Sequence, residues 1–152
     1  MISFGPVPSR RLGRSIGINN IPMKNCAYSC VYCQVGSKCN LITDRKEFYP
    51  TEIIIRDVEE RISAAGVNGE TVDYLTYVAD GEPTLDINLG AELQQLAKYG
   101  IKRAVISNSS LINDDKVKQE LSYADFVSLK VDSVEENLWR KINRPHKDLA
   151  LE

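Results

Sequence analysis

The chain has 152 residues, of which 19 are basic and 21 acidic, a net charge of −2, and 43% are hydrophobic. That length suits one compact domain spanning 1–152 and is too short for two, the near-neutral charge does not mark a nucleic-acid-binding protein, and no run approaches the roughly 20 apolar residues of a membrane span. The opening MISFGPVPSRRLGRS has no apolar stretch of signal-peptide length, so a cytoplasmic protein is expected, in which disulfides are rare and clustered cysteines more often bind metal.

The first strand is predicted over RSIGINNI, Arg14 to Ile21. A long polar loop, 22–50, follows and carries every cysteine of the chain. Pro50-Thr51 opens a helix with Thr51 as its N-cap; Ile54, Ile55, Val58, Ile62 and Ala65 form one apolar face and Gly66 is its stop. VDYLTYVA (72–79) is the second strand. A helix from Leu89 to Tyr99 is capped by Asn88 and ended by Gly100. RAVISN (103–108) is the third strand, and Asp114 to Ala124 a helix capped by Asn113. FVSLKVD (126–132) is the fourth strand; the last helix, Ser133 to Asn143, opens with a Ser133-x-x-Glu136 capping box.

Strands rich in Val, Ile, Tyr and Leu that alternate with helices imply parallel pairing through right-handed crossovers. The expected fold class is α/β: a partial (β/α) barrel of about four βα units with parallel strands. In such folds ligands gather at the C-terminal ends of the strands. Four polar clusters fall there: the cysteine loop, Asp80-Gly81-Glu82-Pro83, Ser107-Asn108-Ser109-Ser110, and Ser128, Lys130 and Asp132, which alternate along one face of the fourth strand.

Cys26-x3-Cys30-x2-Cys33 is a tight trio, with Cys39 six residues on. Structural zinc wants four ligands, typically in two close pairs, and would have to enlist Cys39. A trio on one loop also suits three corners of an iron–sulfur cubane whose fourth iron stays open. Both metal readings stand on spacing alone.

The trio, with the aromatic Tyr32 before its last cysteine, resembles the CxxxCxΦC signature of the radical S-adenosylmethionine (radical SAM) superfamily. Gly81-Glu82-Pro83 after the second strand resembles that family's GGEP motif, with Asp80 in place of its first glycine. The stretches PSRRLGRSIGIN, CVYCQVG, EFYP, GEPTL, SNSSL and KVD…INRPH are similar to a wybutosine-synthesis-like, or Fe–S oxidoreductase-like, group within it. The resemblance implies that Cys26, Cys30 and Cys33 ligate a [4Fe–4S] cluster and that S-adenosyl-L-methionine chelates the remaining iron. By the same resemblance Tyr32 flanks the adenine. Gly81, Glu82 and Pro83 hold the methionine amino group, Ser107 and Asn108 face the ligand, Ser128 contacts the ribose and Lys130 pairs the methionine carboxylate. The implied activity is that of an iron–sulfur oxidoreductase-like enzyme, with one electron from a ferredoxin- or flavodoxin-type donor and hydrogen abstraction from an unidentified substrate.

Cys39 is free in this reading, Tyr28, Tyr74 and Tyr77 are packing residues, His146 is a surface residue, and Arg10, Arg11 and Arg14 form a basic patch without an assigned role. That family usually has six βα units where four are read here, so a shortened or partial barrel is expected. Its open edge at the fourth strand should be covered by another copy, a partner or the residues after 133. The rivals are an iron–sulfur or electron-transfer module without catalysis, a fragment, and a zinc-stabilised scaffold.

Overall fold

The computed structural model describes residues 1–36 and 38–151. A five-stranded sheet has the order β1 (Ser3–Ser9), β2 (Gly13–Ile18), β5 (Tyr74–Tyr77), β6 (Lys102–Ser107), β7 (Phe126–Leu129). β2, β5, β6 and β7 are parallel, and their connections carry α1 (Thr51–Val67), α2 (Leu89–Leu96) and α3 (Asp115–Leu121); α4 (Glu136–Asn143) follows β7. The expected α/β architecture with four parallel strands is therefore present.

β1 was not foreseen. It pairs antiparallel with β2, with a shift of register between Phe4 and Val7. Gly5, Pro6 and Pro8 erase its alternation in the sequence, and prolines are tolerated there because β1 is an edge strand. The parallel strands are also shorter than their apolar runs. β2 stops at Ile18, so Asn19, Asn20 and Ile21 belong to the rim.

Register sorts the side chains. Ile16, Ile18, Leu75, Tyr77 and Val105 face the helices and pack with Ile54, Val58, Leu89, Leu93 and Leu96. On the other face the Ser15 and Thr76 hydroxyls pair at 2.6 Å. Phe4 lies on Gly17, where any Cβ would collide with its ring.

Helix ends differ from expectation in their caps. Pro50 takes the N-cap position of α1 without a side-chain bond and Thr51 is already helical; α1 runs past Gly66 to Val67. Asn88 precedes α2 without capping it through its side chain, and Gly100, at φ 67°, stops the short 3₁₀ turn Ala97–Tyr99 that extends it. α3 is capped by Asp114, not Asn113: its carboxylate accepts from the backbone N–H of Lys116 and Val117. Ser133 does not box α4. It accepts from Glu135 N at 3.0 Å in a local turn, and Glu136 pairs instead with Arg140.

β7 is the outer strand, with Leu129, Val131 and Val134 exposed near it. The residues after 133 do not lie along it. They dock on the cysteine loop, where Tyr28 bridges Pro145 and backbone N–H groups of Ser29 and Val31 donate to Asn143 and Ile142. No helix of the described residues is long and apolar enough to cross a membrane.

Candidate functional site

The cysteine loop leaves β2 at the C-terminal end of the sheet. Its first arm turns at Lys24, which has φ 70°, and forms β3 (Asn25–Cys26), paired in parallel with β4 (Asn40–Leu41) on the returning arm. Between them the chain makes tight turns, with Cys33 N donating to Cys30 O and Gly36 N to Cys33 O, each at 3.1 Å. The returning arm is then fastened to the turn after β5: Lys46 N donates to Leu85 O at 3.0 Å and Ile87 N to Lys46 O at 3.2 Å. Arg45 reinforces this from within, donating to the carbonyls of Thr84 and Asp86 while its guanidinium pairs with Glu120 of α3, both side chains nearly buried.

Cys26, Cys30, Cys33 and Cys39 line one cavity of about 210 Å³, with Lys24, Tyr28, Tyr32, Gly81, Glu82, Ser107, Asn108 and Lys130 among its other walls. The polar clusters after β2, β5, β6 and β7 thus converge. Ser128 does not join them: it pairs with Ile106 in the ladder and is absent from the cavity wall. Pro83 is buried at the first position of the 3₁₀ turn Pro83–Leu85, where its carbonyl accepts from Asn20 at 3.2 Å.

Gly81 is required by space. A Cβ there would fall on the carbonyl oxygen of Asn25 and within 2.8 Å of Ile21 Cγ2, so only glycine lets the β5 turn touch the cysteine loop. Asp80 fills the place of the motif's other glycine without strain, because its φ is not positive. Its carboxylate accepts from Asn19 Nδ2 at 2.9 Å and its N–H donates to Asn19 Oδ1 at 3.0 Å, joining the ends of β2 and β5.

Glu82 is 1% exposed. Its Oε1 accepts from Thr84 N, Thr84 Oγ1 and Ser107 Oγ, and its Oε2 from Asn108 N at 2.7 Å. Burial still pushes its carboxyl above the usual range, although the bonds from Thr84, Asn108 and Ser107 pull it back. A carboxylate has about four acceptor positions. Glu82 therefore spends most of its capacity holding the ends of β5 and β6 together: three donors crowd Oε1, whereas Oε2 takes one and keeps one position open.

Lys130 sits 3.8 Å above the centre of the Tyr32 ring and 4.0 Å from Asp132 Oδ1. Tyr32 donates to Asp132, and burial together with that carboxylate pushes its phenol up. Cys39 lies beside Cys26: its thiol is lowered to about 7, mainly by a hydrogen bond with Cys26, while that bond and burial push Cys26 up. A second cavity of about 410 Å³ adjoins the first across Tyr28, Asn108 and Lys130, and is walled by Ser109, Asp132, Trp139 and Asn143 among others.

Sequence reasoning missed Lys24, Asn19, Asp132 as a partner of Tyr32, and the whole contribution of α4. No local signal marks Asn143 or Trp139, which reach the site only because α4 folds back on the loop; Trp139 Nε1 donates to Tyr28 OH at 3.2 Å and the rings meet edge-on at 5.9 Å. Tyr28 thus packs edge-on against Trp139 and also lines both cavities. His146 accepts from Asp148 N at 3.2 Å, outside both cavities. Arg10 and Arg11 are exposed in the β1–β2 hairpin turn, and Arg14 pairs with Glu70.

The donor set fits an iron–sulfur cluster. Thiolates are its usual ligands, the three thiols of the motif surround one cavity, and side-chain amides point at two of them: Asn108 Nδ2 at 3.2 Å from Cys26 Sγ and Asn143 Nδ2 at 3.3 Å from Cys30 Sγ. Among the described residues no three His, Cys, Asp or Glu are gathered closely enough to hold a single ion.

The Radical SAM superfamily model matches residues 20–150, and the chain belongs to that superfamily of enzymes. It is 58% identical to UPF0026 protein MJ1312 of Methanocaldococcus jannaschii over 99% of its own length and 46% of that protein's, so it spans about half the length of this relative. In fold it is similar to TYW1 with a lysine–pyruvate adduct bound, at a TM-score of 0.64 and 20% identity, over 88% of this chain and 47% of that one. It is similar also to SuiB of Streptococcus suis bound to S-adenosylmethionine, at a TM-score of 0.56 and 21% identity, over 84% of this chain and 28% of that one.

Proposed function

We propose that this chain binds a [4Fe–4S] cluster through Cys26, Cys30 and Cys33 and S-adenosyl-L-methionine beside it, as the catalytic core of a radical SAM enzyme. The observation that carries the proposal is the convergence, on one cavity, of the three motif thiols with Gly81, Glu82, Ser107 and Asn108. Bound there, cluster and cofactor would supply one-electron radical chemistry for hydrogen abstraction from a substrate the residues do not name.

The chain's own residues bind, orient and exclude water. Gly81 lets the β5 turn close on the cysteine loop and so holds the two walls of the cavity together. Glu82 fixes Ser107 and Asn108 and offers its remaining Oε2 position to a cationic amine. Lys130, already in the wall, supplies the counter-charge for a carboxylate, and Tyr32 flanks it. Val35, Val78, Ala79 and Ile106 give the cavity an apolar side that keeps water from a reactive species. Reducing equivalents would come from a ferredoxin- or flavodoxin-type donor, and the exposed side of β7 is where another copy or a partner would pack.

The test is anaerobic reconstitution followed by iron and sulfide analysis and 5′-deoxyadenosine assay with a strong reductant. Alanine at Cys26, Cys30 or Cys33 should abolish cluster retention, whereas Cys39→Ala should keep it; the reverse pattern overturns the ligand assignment. The exposure of Cys33 favours one rival, an electron-transfer module. That reading predicts a stable cluster with no affinity for S-adenosylmethionine.

A further inference from the structure

Two amides, Asn143 buried and Asn108 half-buried, meet the thiols that the proposed function assigns to the cluster, and the orientation of each is fixed by a contact other than the sulfur. Asn108 Oδ1 accepts from Ser110 N at 2.9 Å, so its NH₂ must face Cys26 Sγ, at 3.2 Å. Asn143 presents its NH₂ to Asp132 Oδ2 at 2.6 Å, since its carbonyl would be repelled there, and the same nitrogen lies 3.3 Å from Cys30 Sγ. Asn143 is 2% exposed at the last turn of α4. Among the described residues no side-chain amide is bonded to Cys33, which is exposed. Sulfur contacts of this length fall within the range of genuine hydrogen bonds to a large acceptor.

We propose that Asn108 and Asn143 are positioning residues that donate N–H···S hydrogen bonds to the Cys26 and Cys30 thiolates and thereby raise the reduction potential of the cluster. Reduction adds negative charge to the cluster and its sulfurs, and a fixed donor stabilises the reduced form more than the oxidised one. Partial burial of both cysteines strengthens the effect, because a hydrogen bond is electrostatically stronger in a less polar surrounding. The inference rests on the cluster assignment above. It adds that α4, which carries no motif cysteine, sets how readily the cluster accepts its electron.

The experiment is an EPR-monitored redox titration of the reconstituted protein without S-adenosylmethionine, comparing wild type, Asn143→Leu, Asn108→Leu and the double variant, with Arg140→Ala on α4 as the control. At a fixed potential, each leucine is expected to lower the ratio of reduced to oxidised cluster about tenfold, which is 59 mV for a one-electron couple, and the pair should lower it further; the control should stay within about twofold. Variants that hold a full complement of iron and sulfide yet match the wild-type potential overturn the proposal. Should the leucine variants fail to hold a cluster, the wild type decides the matter. Grown with asparagine labelled with ¹⁵N at the side-chain amide alone, its reduced cluster should show weak ¹⁵N couplings in pulsed EPR, and their absence overturns the proposal equally. A wild type that takes up no iron and sulfide refutes the function itself; a cluster-loaded wild type without these couplings refutes only the amide bonds.

Discussion

On the helix side of the sheet, Ile16, Ile18, Ile54, Leu75, Leu93 and Val105 are fully buried among apolar neighbours; at the strand ends Glu82, Asp86, Thr84 and Ser107 are just as buried among polar ones. The first region is held by removal of apolar area from water, which has no direction and tolerates small shifts. The second is held by donors and acceptors that must all be matched, because each one left over costs about 1–3 kcal/mol. The two should therefore fail differently. A truncated core residue such as Leu93→Ala should cost about 2–5 kcal/mol and leave the cysteine loop able to take up iron. Rim substitutions should lose the site at similar or smaller cost in stability.

The sharpest way to break the rim is Gly81→Ala. The added methyl meets a backbone carbonyl, Asn25 O, which itself accepts from Glu82 N at 3.2 Å, so neither side can yield without separating the cysteine loop from the β5 turn. A loss above about 4 kcal/mol is expected, with helical circular dichroism largely kept at low temperature and iron uptake abolished. Gly66 in α1 is the contrasting site, since a Cβ there meets nothing within 4 Å. Gly66→Ala should stabilise by about 0.5–1 kcal/mol, and a destabilisation there would argue against the helix.

Next in size is the Arg45–Glu120 pair. Glu120→Ala leaves a nearly buried guanidinium unpaired and should cost about 3–5 kcal/mol in urea unfolding, with the Arg45 bonds to Thr84 O and Asp86 O loosened as well. The fit around Glu120 is close. Gly90 lies where a Cβ would come within 2.7 Å of its Cγ, so Gly90→Ala should reproduce part of the loss.

Glu92 stands at the border of the two regions. It is fully buried on α2, neither carboxylate oxygen has a hydrogen-bond partner among the described residues, and the Tyr77 hydroxyl faces it without reaching bonding geometry. Burial, then the charge of Asp86, raises its carboxyl from 4.5 to about 8. Because the folded state holds the proton more tightly than the unfolded chain, Glu92 contributes stability that is fully present below pH 4.5 and lost as pH rises to about 8. Asp86, raised by burial to about 6, acts in the same direction. Glu92→Gln should flatten this decline and make the protein more stable at pH 8 by about 1–3 kcal/mol, measured by denaturant titration across pH. A steeper decline in the variant would mean that Glu92 is ionised in the folded protein.

The comparison also explains what could be read from the sequence. The four parallel strands and four helices were legible because apolar periodicity is local, and the cysteine trio and Gly81-Glu82-Pro83 were legible because their spacing is. β1 was hidden by Gly5, Pro6 and Pro8, whose tolerance depends on an edge position that no local pattern announces. Asp114 rather than Asn113 caps α3, a choice between adjacent residues of equal propensity that only the backbone geometry settles. Glu82 was legible as a site residue but not as the acceptor of four bonds from Thr84, Ser107 and Asn108, two of them residues more than twenty positions away. Asn143 and Asp132 meet Cys30 and Tyr32 across about a hundred residues of chain, and no motif spacing encodes that.

The smallest expected effect separates local from distant anchoring on α4 itself. The sequence suggests a capping box from Ser133 and Glu136, which would make the helix self-supporting. In the structure Ser133 only closes its own turn, and Glu136 forms an exposed i,i+4 pair with Arg140. Such a pair contributes about 0.3–0.5 kcal/mol, and a Ser133 outside the cap has little more to lose. What holds α4 is Trp139, 3% exposed, bonded to Tyr28 and edge-on to its ring, together with the backbone bonds from Ser29 and Val31. Trp139→Ala should thus release the helix from the cysteine loop, while Glu136→Ala and Ser133→Ala should each change unfolding free energy by less than about 0.5 kcal/mol. Amide exchange at Ile142 and Asn143 gives the finer measurement: it should accelerate strongly in the tryptophan variant and hardly at all in the other two. Acceleration in Ser133→Ala to the level of Trp139→Ala would mean that the helix is made locally after all, and that its docking on the cysteine loop follows from a cap and does not replace one.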